Sequence, residues 1–239
     1  MPPLDFLVVG GLAVLLGSIV QGSVGLGVGL VATPVVTLAF PALMPGAILV
    51  VATLLPLATL VREVRQADLR GLGWAFGGRV AGTPLGVWVV AAVPARALGI
   101  VVGTVVLAAL GGTVWSGNVP RNRATLTAAG VVAGATGTAS AIGGPPLALL
   151  YQRESGPRVR ATLAVFFTLG SLLSLLSLAA AGRLPCRQVV AGLALTPFVL
   201  AGFLAAGPVR RYLDAGRMRL AVLVVVGTSA VALIVRSLV

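Results

Sequence analysis

The chain has 239 residues, 58% of them hydrophobic and only 9% charged, with a mean hydropathy of +1.10. That composition excludes an ordinary soluble domain and leaves no room for one beside the apolar runs. The net charge of +12 comes from 17 arginines against 5 acidic residues; the arginines sit in short clusters between apolar runs, which excludes a nucleic-acid-binding face and points to control of membrane topology.

Apolar stretches run over 5–40, 44–61, 72–92, 97–115, 124–152, 161–181, 188–207 and 220–235. A hydrocarbon core about 30 Å thick takes about 20 apolar residues per helix, so the first stretch is too long for one span and the fifth is generous. The start, Met1 to Asp5, lacks the basic region of a secretory signal, so the first run is expected to stay in the mature protein. Cys186 alone allows neither an internal disulfide nor a Cys-based metal site, and the lack of His removes the commonest transition-metal ligand. No cofactor is expected.

The two long stretches resemble each other. Laying "QGSVGLGVGLVATP" (21–34) over "AGATGTASAIGGPP" (133–146), an offset of 112, pairs Gly22 with Gly134, Gly25 with Gly137 and Pro34 with Pro146. "GTPLG" at 82–86 has a looser echo in "GFLAAG" at 202–207. Two halves of similar plan, 1–119 and 120–239, are expected.

Arginine placement orients them. If every stretch crosses once, eight arginines face each side and no orientation follows. If the two Gly/Pro-interrupted stretches instead enter and leave on one side, the loops at 62–70, 121–123, 153–160 and 210–219 share one face with twelve arginines, against Arg96, Arg183, Arg187 and Arg236 on the other. Positive charge marks the cytoplasmic side. The expected fold is therefore an all-α polytopic membrane protein of two inverted repeats, each a broken helical hairpin plus three spanning helices, with eight to ten membrane segments. Broken segments at matching positions of inverted repeats point to a transporter with a midplane site.

Main-chain groups freed by such breaks cannot face lipid, and a helix N-terminus offers amide donors and partial positive charge to an anion. The expected site comprises Gln21, Gly22, Ser23, Gly25, Thr33, Gly134, Thr136, Gly137, Thr138, Ser140, Gly143, Gly144 and Pro145. For any one of these glycines, close helix packing is the competing role. Arg79, seven residues into its run with no carboxylate on the same span, either snorkels to the headgroups or is neutralised by an anion. Gly78, Gly82 and Gly86 repeat every four residues and read as a packing face. "GVGLVA" at 27–32 imitates a dinucleotide fingerprint without the strand-helix context that would give it meaning.

The stretches "GSIVQGSVGLGVGLVATP" (17–34) and "GVVAGATGTASAIGGPPLALLY" (130–151), the "GTPLG" helix and the short Arg-bearing linkers resemble the TauE/SafE family, also called sulfite exporters. The resemblance implies transport of sulfite, sulfoacetate or other organosulfonates across the cytoplasmic membrane of a bacterium, with about eight helices. The expected partners are a small anionic substrate and the lipid bilayer, not nucleic acid, with a homodimer left open. With the carboxylates at segment ends and no His, a proton relay is disfavoured and an electrogenic exporter or uniporter is expected. An anion channel, an importer of the same substrates, a permease for another oxyanion and a scaffold subunit are the alternatives. A membrane-embedded enzyme would need a nucleophile with a base, or a metal site, that this residue set lacks.

Overall fold

The structure, a computed structural model, describes residues 3–114, 119–151 and 153–212, together with Val231, Ile234 and Val235. Most of the apolar stretch at 220–235 and of the 210–219 loop, with Arg217, Arg219 and Arg236, lies outside them. The described residues are helical, in ten α-helices: α1 (Leu4–Val24), α2 (Val28–Ala39), α3 (Gly46–Glu63), α4 (Leu69–Ala92), α5 (Ala95–Val114), α6 (Arg123–Ser140), α7 (Pro145–Tyr151), α8 (Gly156–Ala180), α9 (Cys186–Ala194) and α10 (Thr196–Tyr212). Leu4–Val24, Gly156–Ala180 and the combined Cys186–Pro208 are each long and apolar enough to cross a membrane.

Both long stretches break where the sequence loosens, and both double back. The first leaves helix at Gly25, whose left-handed φ of 95° ends α1, and resumes at Val28. The Phe6 and Phe40 rings then meet edge to face at 5.3 Å, so α2 returns along α1. The second leaves helix at Ala141, also left-handed at φ 58°, and resumes at Pro145. Arg121, just before α6, stacks on the Tyr151 ring at the end of α7 (5.0 Å) and pairs with Glu154 at 2.6 Å, which brings entrance and exit together. The two left-handed residues lie 116 positions apart (141 less 25), four more than the offset that aligns the glycines and prolines.

Glycine governs two of the main helix contacts. Gly78, Gly82 and Gly86 of α4 lie against the carbonyls of Thr127, Val131 and Ala135 of α6, and Gly130 and Gly134 return the contact to the carbonyls of Ala75 and Arg79. A side chain at any of these positions would meet backbone, so the packing face read from the four-residue spacing is the seam of two helices running in the same direction. On the other side, Gly202 of α10 lies on Leu15 and Ser18 of α1, and Gly22 of α1 lies on Ala206. The "GTPLG" helix thus packs on the second broken stretch, and its echo at 202–207 packs on the first.

Between these pairs α3 and α8 run antiparallel: Arg160 meets Glu63 at one end, and Ser171 Oγ donates to the Ala52 carbonyl (3.0 Å) in the middle. Aliphatic clusters fill the spaces, one around Val14, Ile48, Leu55 and Leu195 and another around Leu72, Leu147, Tyr151 and Phe166. A third interruption, at Leu195, divides the 188–207 run into α9 and α10; Pro197 cannot donate a backbone hydrogen bond there.

Candidate functional site at the meeting of two broken helices

The two breaks lie side by side. Gly29 touches the Ala141 carbonyl, so closely that a methyl group there would stand 2.5 Å from it, and Leu26 lies against Gly144. Between them is a cavity of about 30 Å³, lined by residues 26–30 and 141–145 together with Gln21, Ala52 and Phe167. Its volume suits roughly two water-sized groups. Gln21 Oε1 accepts from the Val28 N–H (3.0 Å) and so caps the start of α2. Thr33, one turn beyond Gly29, is buried and its hydroxyl has no partner.

Arg79 lies just beyond this cavity. It is 2% exposed, so it does not snorkel to the headgroups. Its guanidinium points inward, with Cζ 4.8 Å from the centroid of the Phe166 ring and its edge pressed against the backbone of Gly170. Methyl groups at Gly143 and Gly137 would stand 3.0 Å from Nη1 and 3.1 Å from Nη2. Gly170 is fourteen residues into α8, roughly 21 Å from its start, near the middle of that helix. Gly143 is common to both features: it lines the cavity and touches the guanidinium.

The charge is poorly compensated. Nε and Nη1 of Arg79 are buried without a hydrogen-bond partner. Among the described residues the ion pairs join Arg121 to Asp68 and Glu154, Arg158 to Glu154 and Arg160 to Glu63, and none reaches Arg79. A ring face attracts a guanidinium, but it does not replace the hydrogen bonds that a buried charge otherwise gets from water. A buried guanidinium with unpaired N–H groups is suited to donate to the oxygens of an oxyanion.

The other residues singled out in the sequence divide in two. Gln21, Gly143, Gly144 and Pro145 line the cavity, and Gly137 touches Arg79. The rest, Thr33 apart, have other neighbours. Gly22 packs on Ala206, Gly25 on Arg160 and Gly134 on the Arg79 carbonyl. Ser23, Thr136 and Ser140 donate to the carbonyls of Ile19, Val132 and Thr136 on their own helices. Thr138 bonds Ser174 at 2.8 Å, and Ser174 donates to the Gly170 carbonyl. Phe166, Phe167 and Gly170 of α8 were not legible from the sequence, since nothing local to "AVFFTLGSL" marks it as the wall of a cationic site.

On the Arg-rich side, Asp68 caps α4 by accepting from the Gly71 N–H (3.1 Å) and takes the Tyr151 hydroxyl at 2.9 Å. Burial pushes its carboxyl up, but those two hydrogen bonds and the Arg121 and Arg158 charges outweigh it and hold Asp68 below the ordinary carboxylate range.

A family profile described as Sulfite exporter TauE/SafE matches residues 10–233. The chain belongs to the TauE/SafE family. It is accordingly a membrane transporter of the sulfite-exporter type and not an enzyme. No curated protein and no solved structure matches the chain. Within this TauE/SafE protein, the two stretches that carried the resemblance, 17–34 and 130–151, are those that break and meet at the cavity.

Proposed function

We propose that this TauE/SafE protein exports sulfite, sulfoacetate and related organosulfonates across the cytoplasmic membrane of a bacterium, by alternating access around a midplane site. The carrying observation is the Arg79 guanidinium, buried, without a hydrogen-bond partner at Nε and Nη1, and in contact with Gly143, which lines the cavity between the broken helices. In this reading Arg79 supplies the charge, Gly29 and Leu30 of α2 and residues 142–144 supply main-chain donors, and Thr33 supplies a hydroxyl. A cavity of about 30 Å³ is too small for a sulfonate. Admission of substrate by parting of the flanking helices, as in a carrier, fits this size better than an open channel does.

The helix pairing supports two inverted halves, 1–119 and 120–239. Each broken stretch packs along a helix of the opposite half, α6 on α4 and α1 on α10, which continues α9, while α3 and α8 cross antiparallel between them. Rocking one half against the other would expose the cavity to each side in turn. With the Arg-rich face cytoplasmic, an interior-negative potential drives anion exit by about 2.3 kcal/mol per charge per 100 mV, and no coupling ion is required.

The test is flux in proteoliposomes over sulfite, sulfoacetate, taurine, sulfate and thiosulfate, with and without an imposed potential, beside Arg79→Gln. Potential-dependent efflux of sulfite and sulfoacetate, lost in the variant, is expected. Undiminished flux in Arg79→Gln would refute the site, and flux indifferent to potential would refute the electrogenic cycle.

A further inference from the structure

A second guanidinium stands on α8, the helix whose Gly170 meets Arg79, nearer the Arg-rich face. Arg160 is ten residues before Gly170 on α8, roughly 15 Å along the axis. It is 8% exposed, and it grips Glu63 with both arms of its fork, Nε to Oε2 at 3.0 Å and Nη2 to Oε1 at 2.6 Å. The tip of the first broken stretch sits on it: at Gly25 a methyl group would stand 3.1 Å from both Cα and Cγ of Arg160. The next residue, Leu26, lines the cavity, as does Phe167 two turns further along α8. The Glu63–Arg160 pair therefore stands at the Arg-rich end of the α3–α8 seam whose middle, Ala52, borders the cavity.

A buried pair of this kind is a weak source of stability, because desolvating both charges consumes much of the attraction. Its two-armed geometry is, however, the one a planar or trigonal oxyanion adopts on arginine. We propose that Arg160 is a second anion-binding residue, at the mouth of the pathway, and that the Glu63 carboxylate occupies it as an internal competitor which an arriving sulfonate displaces. The displaced carboxylate then lies behind the anion and disfavours its retreat, while Arg79 receives it roughly 15 Å further along α8. The inference rests on the reading of the protein as an anion transporter but not on Arg79 being the midplane ligand.

Calorimetric titration of the purified full-length protein with methanesulfonate tests it. The parent is expected to bind one per chain, Glu63→Gln two, and Glu63→Gln with Arg160→Gln one again. Glu63→Arg combined with Arg160→Glu rebuilds the pair in reverse and is expected to bind one. Glu63→Asp keeps the charge but is too short to hold both guanidinium nitrogens, so it too is expected to show the second site, more weakly, and it decides the matter if the glutamine variant does not fold. A single site in both Glu63 variants, or a second site that survives loss of Arg160, overturns the inference. Arg79→Gln addresses the midplane site separately: it removes the parent's one site if that reading holds and leaves the second site of Glu63→Gln in place.

Discussion

The guanidinium of Arg79 lies against the backbone of Gly170 with no space for even one methyl group between them. Gly170→Ala must therefore displace the arginine or push α8 away, an overpacking that costs about 1–3 kcal/mol. Loss of anion flux with a lowered melting temperature is expected. Gly77, two residues before Arg79 on α4, has nothing within 4 Å of where a side chain would begin. Gly77→Ala should leave flux unchanged, and equal behaviour of the two variants would show that the Arg79–Gly170 contact has no role.

Arg79 also carries an opposed prediction for stability. Its buried charge has no carboxylate among the described residues, and two of its nitrogens lack partners. Replacing a poorly compensated buried charge by an apolar residue of similar length is often neutral or stabilising. Arg79→Met is expected to raise the melting temperature while abolishing flux, the signature of a residue kept for function. Thermal unfolding followed by fluorescence in detergent, paired with the flux assay, measures both. A variant that melts lower than the parent would mark Arg79 as structural.

How much of this was legible in the sequence depended on whether the signal was local. Glycine and proline within an uncharged run announced the breaks, and the arginine count favoured hairpins; the Phe6–Phe40 and Arg121–Tyr151 contacts show that each broken stretch doubles back on itself. The Gly78, Gly82 and Gly86 face was legible because four-residue spacing has one geometric meaning on a helix. Register was not: matching glycines puts Gly25 opposite Gly137, whereas the chain turns at Gly25 and Ala141, because an alanine can fill a left-handed cap that composition assigns to glycine. The walls of the arginine site escaped for another reason. Phe166 and Gly170 meet Arg79 across about ninety residues of chain (170 less 79 is 91), and no spacing rule links them.

Ala141 is the one non-glycine residue with positive φ among the described residues, at 58°. The left-handed conformation costs an L-residue with a Cβ roughly 1 kcal/mol or more relative to glycine. Ala141→Gly is thus expected to stabilise the protein by up to about 1 kcal/mol, partly offset by the added freedom of the unfolded chain. Gly25→Ala should destabilise, since it meets both a φ of 95° and the backbone of Arg160. Melting temperatures of the two variants should therefore move in opposite directions from the parent, and a fall in both would indicate that the two turns are not held as described.

The Asp68–Tyr151 contact ties the loop before α4 to the end of the second broken stretch, and its strength depends on pH. Asp68 has a folded-state pKa below its unfolded value of about 3.9. A depressed carboxylate stabilises the fold above the unfolded pKa, and that contribution disappears as pH falls through the folded one. Between pH 7 and pH 5 the contact should therefore be insensitive to pH, with a loss of thermal stability only in more acidic buffer. Asp68→Asn keeps one side-chain carbonyl for the Gly71 N–H, turns an NH2 donor toward the Tyr151 oxygen in place of the carboxylate oxygen that accepts its hydroxyl, and gives up the attraction to Arg121 and Arg158. It should melt below the parent at pH 7, and the gap should close in acid as the parent's carboxyl protonates. A gap that stays constant down to pH 3 would place the contribution of Asp68 in its cap geometry and not in its charge.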